Sequence, residues 1–192
     1  VTLARALAKP LANAAEEIER SRRIPEPLLM QLHVAGLFRL LLPEELGGGE
    51  VEPGVYVTVL EELARHDASV AWNLFVGNSA ALIVPYMDES AAAKVFSNSR
   101  TVVAWGPPHK GLAEAAAGGY RVSGRWDFAS GCRQANWMGV HCRVMEADGS
   151  LRLNSEGRPT IRTLLFPVDQ APLHDTWDAI GLRGTASESL SV

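Results

Sequence analysis

Two short clusters pair flat aromatic side chains with polar groups at the spacing of regular secondary structure. Phe128 and Ser130 stand two apart in a strand-like run, so both should point to one face and set an apolar ring beside a hydroxyl. Trp72 and Phe75 stand at i and i+3 in a helical run, with Asn78 three residues further on. Each cluster offers a wall and a hydrogen-bonding group of the kind small-molecule sites use. The same residues also suit a core phenylalanine, a strand-end serine and packing between helices. Acid–base and nucleophilic chemistry find less support. His33, His66, His109, His141 and His174 are scattered, with no nucleophile or carboxylate at triad spacing, and Glu16-Glu17 and Glu61-Glu62 read as solvated helix faces. Cys132, His141 and Cys142 match no zinc spacing, so no metal is expected, and no Gly-x-Gly-x-x-Gly follows a strand.

The elements that must position these residues divide the chain in two. Leu3, Leu7, Leu11, Ala14 and Ile18 recur at three- and four-residue steps and predict one amphipathic helix. Pro25 and Pro27 fit the first turn of a second, which buries Leu28, Leu29 and Leu32 and ends at Gly36. A third spans 55–64 with Leu60 and Leu63 inward. A fourth carries Trp72 and Phe75 and is capped by Asp67 or Ser69, and a short fifth near 91–96 is capped by Asp88 or Ser90. From Thr101 the periodicity changes to two, with strands expected at 101–105, 120–123, 125–129, 137–144, 162–166 and 190–192. Helices followed by strands, without βαβ alternation, predict an α+β chain: a helical domain over 1–98 and an antiparallel, barrel-like β domain over 99–192.

Composition agrees with a folded protein: of 192 residues, 47% are hydrophobic and 21% charged. A net charge of −4 gives no broad basic field for nucleic acid or an anionic membrane. The longest apolar stretches, such as Ser79–Tyr86, fall short of the roughly 20 residues that span a bilayer. A cytoplasmic location is expected. The chain starts at Val1 without a methionine and stops at Val192 after a strand-like run, so both ends look cut.

The ordered set Leu40-Leu41-Leu42-Pro43-Glu44-Glu45-Leu46-Gly47-Gly48, Leu60-Glu61-Glu62-Leu63-Ala64-Arg65 and Asp67-Ala68-Ser69-Val70-Ala71-Trp72 resembles the N-terminal helical domain of the acyl-CoA dehydrogenase superfamily. Gly119 to Gly131 resembles the strand pair of that superfamily's middle domain. Where dehydrogenases show Gly-x-Lys-x-Trp-Ile-Thr/Ser-Asn, this chain has Trp126 at the lysine, Phe128 at the tryptophan, Ser130 at the hydroxyl residue and Gly131 at the asparagine. Trp177-Asp178-Ala179-Ile180-Gly181-Leu182-Arg183-Gly184-Thr185-Ala186-Ser187 is similar to the later Trp…Gly-Leu/Met-Arg-Gly-Thr-Gly-Ser signature. The Phe-Ala-Ser-Gly version, followed by Ala135-Asn136-Trp137, resembles the branch of two-component flavin-dependent monooxygenases.

That resemblance implies a flavin oxidoreductase. It would be the oxygenase component of a monooxygenase that receives reduced FMN or FAD from a separate flavin reductase and uses O2 to hydroxylate a small aromatic or related substrate. It also implies a C-terminal helical bundle that supplies the catalytic base beyond Val192 and most contacts of a homotetramer, so this stretch alone should be inactive. The implied flavin-binding residues are Trp105, Gly106, Pro107, Phe128, Ser130 and Gly131; Trp72, Phe75, Asn78 and His109 would line the substrate pocket. Trp105 stands in the Trp105-Gly106-Pro107-Pro108 loop, where dehydrogenases carry Thr-Glu-Pro. The absence of that segment disfavours the alternative of an acyl-CoA dehydrogenase or related flavin oxidase. A scaffold protein that has lost its flavin is the alternative from another class.

Overall fold

The structure, a computed structural model, describes residues 1–107 and 111–192. Helices come first: α1 (Thr2–Ala6), α2 (Ala8–Ser21), α3 (Glu26–Val34), α4 (Pro53–Ala64), α5 (Ala68–Asn78) and α6 (Glu89–Phe96). The helix expected to run unbroken from Leu3 breaks at Leu7, because Pro10 in the first turn of α2 has no N–H to continue the ladder and its ring crowds the preceding turn. The break turns Leu3 outward, 58% exposed, while Leu7, Leu11 and Ile18 stay in the core. Asp67 rather than Ser69 caps α5: its Oδ1 accepts the Val70 N–H at 2.8 Å. The apolar run continues beyond α5 as a 3-10 helix, Ser79–Tyr86. Ala68–Tyr86 is therefore long and apolar enough to cross a membrane, contrary to expectation, although half of it is buried inside the protein.

Leu11, Ile18, Leu32, Leu63, Val70 and Leu74 form the centre of the helical core. Two sheets follow. One has the order β2-β1-β4-β5, built from β1 (Val103–Ala116), β2 (Gly119–Ser123), β4 (Trp137–Met145) and β5 (Ile161–Pro167); the other has the order β3-β7-β6, from β3 (Arg125–Ala129), β6 (Leu173–His174) and β7 (Glu188–Ser191). The α+β class stands, with two corrections. The sheets do not close into a barrel, and β1 pairs with β4 in parallel (Val103 opposite Trp137) while the other pairs are antiparallel. Trp105-Gly106-Pro107, expected in a loop, lies within β1, whose register against β4 shifts between Gly106 and Gly111.

Trp126 explains that irregularity. Its indole, 2% exposed, lies between the sheets directly over Gly106, where a Cβ would come within 2.7 Å of the ring. Only a residue without a side chain lets the backbone approach an aromatic ring this closely.

The segment between β6 and β7 joins the helices to the sheets. Arg183 Nε–H donates to Glu19 O, and Asn73 Nδ2–H donates to Gly184 O at 3.0 Å. A Cβ on Gly184 would overlap Ile18 Cγ2 and stand 2.9 Å from Ser69 Cβ. The contact between α2, α5 and this segment therefore depends on glycine.

Candidate functional site

The end of β3 is bent out of regular strand geometry. Between Trp126–Leu190 and Ala129–Glu188 the strand advances three residues while β7 advances two, which is a bulge of one extra residue. The bulge carries Phe128 at φ +61, a left-handed conformation costly for a residue with a side chain. It also breaks the two-residue alternation: Phe128 is 64% exposed and Ser130 only 8%. The expectation that both would present the same face is corrected, because inserting one residue inverts strand parity. The Ser130 N–H turns back to Phe128 O at 2.9 Å, and the Gly131 N–H, at φ +80, donates to Thr185 O at 2.7 Å.

Two exposed aromatic pairs connect to this bend, and a row of hydroxyls leads from it. The Trp177 ring meets Phe128 edge-on, with centroids 6.3 Å apart and an interplanar angle of 84°. Trp72 and Phe75, both nearly half exposed, lie 5.3 Å apart on α5. Trp72 Nε1–H donates to Ser130 Oγ at 3.0 Å and so ties the helical cluster to the strand cluster. Beneath Ser130 a row of hydroxyls runs inward: Ser130 Oγ to Ser187 Oγ at 2.7 Å, Ser187 Oγ to Thr185 Oγ1 at 2.7 Å, and Thr185 Oγ1 to Leu182 O at 2.9 Å.

Glu188 fixes the far wall. Its carboxylate is 1% exposed; it pairs with Arg133 Nη2 at 2.6 Å and accepts the backbone N–H of Thr176 at 2.7 Å and of Trp177 at 2.9 Å. Arg22 holds the same segment from α2, through Asp175 at 2.7 Å and Trp177 O at 2.8 Å. The indole Nε1–H of Trp177 donates to Leu182 O at 3.0 Å. Trp177, Thr185, Ser187 and Glu188 are not among the residues expected at the site, although the first three lie within the signature Trp177 to Ser187. The available signal was the alternation of hydroxyl residues in Thr185-Ala186-Ser187 directly before a strand.

Other expected site residues lie elsewhere. Trp105 is partly buried, stacks on His141 (centroids 5.8 Å, 12°) and packs beside the cluster of Leu42, Ala80, Phe96 and Val103. No described hydrogen bond or ring contact joins it to Phe128 or Ser130. Strand alternation explains this: Trp105 faces across Gly139, while Gly106 faces Trp126 on the opposite side of the sheet. Pro107 follows in the same strand, partly buried. Asn78 is 2% exposed and bound on all sides by backbone. It accepts Leu40 N–H at 2.7 Å and Leu41 N–H at 3.3 Å, and donates to Leu37 O at 2.8 Å and Leu74 O at 2.9 Å. Its expected place in a substrate pocket is therefore corrected to a structural one, since its amide replaces hydrogen bonds that the 37–41 turn cannot make to itself. The side chain of His109 lies outside the described residues. No group of three or more potential metal ligands occurs among the described residues. A groove of about 580 Å3, lined by Ile83, Tyr86, Met87, Trp137, Ile161 and Leu165 among others, includes none of the residues around Ser130.

Known proteins resemble this chain throughout. Residues 2–97 match the family model described as acyl-CoA dehydrogenase, N-terminal domain. The oxygenase component of an FADH2-dependent resorcinol hydroxylase from Rhizobium sp. is 34% identical over 180 residues, 93% of this chain and 42% of that protein. An indole-3-acetate monooxygenase from Pseudomonas putida is 31% identical over 179 residues, 92% of this chain and 43% of that protein. The crystal structure of 3-HSA hydroxylase from Rhodococcus sp. RHA1 superposes with a TM-score of 0.88 at 28% identity, covering 100% of this chain and 47% of that one. The chain thus spans less than half the length of the relatives it matches.

Proposed function

The chain belongs to the acyl-CoA dehydrogenase family, and from that premise we propose that it forms the flavin-facing part of the oxygenase component of a two-component monooxygenase. One observation carries the proposal: at the bulge that ends β3, the exposed ring of Phe128, with Trp177 across its edge, lies two residues from Ser130, whose hydroxyl accepts the Trp72 indole N–H. This set fits an isoalloxazine, which needs flat apolar walls and polar groups along one edge. Bound reduced flavin, FMN or FAD, would supply the electrons that activate O2.

The residues of this chain do the rest. Phe128 and Trp177 give the ring a surface, Trp72 and Phe75 shield it from water on the helical side, and Ser130 sets its polar edge, with Gly131 shaping the turn that carries it. Excluding water strengthens the hydrogen bonds inside and limits unproductive loss of activated oxygen. Trp105, Gly106 and Pro107 act behind this surface, shaping β1. The substrate is a small aromatic or related molecule, and the reduced flavin comes from a separate reductase. A homotetramer, a cytoplasmic location and a division into domains at 98/99 belong to the same proposal, as does a catalytic base from the part of the relatives' length that this chain does not span. The names of the resorcinol and indole-3-acetate relatives support it.

The test is an anaerobic titration of the full-length protein with reduced and oxidised flavin, followed by mixing with oxygen and substrate. Tighter binding of the reduced form and oxygen-dependent formation of hydroxylated product are expected. Bleaching of bound oxidised FAD by an acyl-CoA thioester, without hydroxylation, would assign a dehydrogenase instead. Failure to bind any flavin would leave the scaffold alternative.

A further inference from the structure

The hydroxyl row beneath Ser130 has a fixed direction. Three oxygen–oxygen contacts, Ser130–Ser187 at 2.7 Å, Ser187–Thr185 at 2.7 Å and Thr185–Leu182 at 2.9 Å, have only three protons to share, one from each hydroxyl. An oxygen pair at that distance without a proton between its members is repulsive, so each contact takes one proton. The Leu182 carbonyl can only accept. Thr185 therefore donates to Leu182, Ser187 to Thr185, and Ser130 to Ser187. At the other end Trp72 Nε1 can only donate, and it does so to Ser130. The backbone N–H of Ser130 is also engaged, with Phe128 O at 2.9 Å. Both donors of Ser130 are thus used, and the hydroxyl oxygen keeps one lone pair with no described partner.

We propose that this one-way hydroxyl chain makes Ser130 an acceptor only, and that Ser187 and Thr185 thereby select the reduced form of the flavin. The inference rests on the flavin reading above and adds the determinant of its redox preference. A reduced isoalloxazine carries an N–H at N5, where the oxidised ring carries a bare acceptor nitrogen. An acceptor-only Ser130 satisfies the first and opposes the second. Ser187 touches no ligand in this scheme; it is a positioning residue that acts through the proton of Ser130.

The experiment measures the dissociation constants of reduced and oxidised flavin, and the midpoint potential of the bound flavin, in the full-length protein and its Ser187→Ala variant. Ser187→Ala releases the Ser130 proton, so oxidised flavin should bind about three- to tenfold more tightly while the reduced form changes little, the scale of one neutral hydrogen bond. The potential of the bound flavin falls accordingly, by about 30 mV for a tenfold change in a two-electron couple. Ser130→Ala should weaken the reduced form selectively. If Ser187→Ala does not fold, Thr185→Val serves in its place: it leaves two protons for one contact and shifts the ratio in the same direction. A folded variant that binds flavin with an unchanged ratio of constants overturns the proposal while the flavin reading stands. A wild-type protein that binds neither form overturns both.

Discussion

At the residue scale, burial decides which chemically interesting side chains are available. Burial pushes the Cys132 thiol up to about 11, so at neutral pH it is almost wholly protonated. Alkylation of Cys132 by iodoacetamide, followed by mass spectrometry, should accordingly be slow in the native protein and fast once it is unfolded. His33 titrates below its ordinary value, first because it is buried and then because Arg100 lies nearby, and its Nδ1 has no hydrogen-bond partner among the described residues. The sign follows from proton binding: near pH 6 the unfolded chain takes up a proton at this position that the folded chain refuses. Stability from His33 is complete above the unfolded value of about 6.5 and declines as pH falls through it. His33→Gln should flatten the decline in urea midpoint between pH 7 and 5.5; an unchanged slope would count against His33 as its source. Asn78→Ala should lower unfolding free energy by about 2–3 kcal/mol, because buried backbone groups at Leu37 and Leu40 lose their partner. That change belongs in a denaturation curve, whereas a substrate-binding Asn78 would show it in KM.

At the element scale, Leu182-Arg183-Gly184-Thr185 is the hinge between the hydroxyl chain and the helices. Leu182 and Ala186 bracket it in left-handed conformations, at φ 53 and 47, and Gly184 lies against Ile18 and Ser69. Gly184→Ala should destabilise by about 1–3 kcal/mol through overpacking, and combined with Ile18→Ala, itself costly, the total loss should be smaller than the sum of the two because the space is vacated. A double variant no more stable than the sum of its parts would show that the contact is not the cause. Glu188 works on the same segment from the strand side. Removing its carboxylate leaves Arg133 and two backbone N–H groups without their partner, so Glu188→Ala should cost about 3–5 kcal/mol. Thermal unfolding followed by tryptophan fluorescence would measure it.

At the scale of the whole molecule, the helices and sheets are held together through this segment and through the ionic chain Arg22–Asp175–Arg133–Glu188. The two layers should therefore unfold together. Helical circular dichroism and tryptophan fluorescence are expected to give coincident denaturant transitions, and separated midpoints would show that each layer stands without the other. Large apolar side chains remain in water on the outside: Ile180 is fully exposed, Tyr86 89% and Leu82 66%. The chain spans 42–43% of the length of the resorcinol hydroxylase and indole-3-acetate monooxygenase relatives.

By itself the sequence determined the order of elements, helices before strands, because periodicities of 3.6 and two depend only on which local positions must be apolar. It also determined the burial of Leu28, Leu32 and Leu63, and narrowed the cap of α5 to Asp67 or Ser69, between which the structure chose Asp67. Tertiary structure alone decided the rest. Strand pairing is set by contacts distant in the chain, so local pattern could not show that β1 runs parallel to β4 or that the sheets stay open. The side of the sheet that Trp105 faces, the bulge that separates Phe128 from Ser130, and the closing of Asn78 onto the 37–41 turn each depend on a partner far along the sequence. The hydroxyl chain is the clearest case: Ser130 lies 57 residues from Ser187 and 58 from Trp72, and only folding brings their protons into one count.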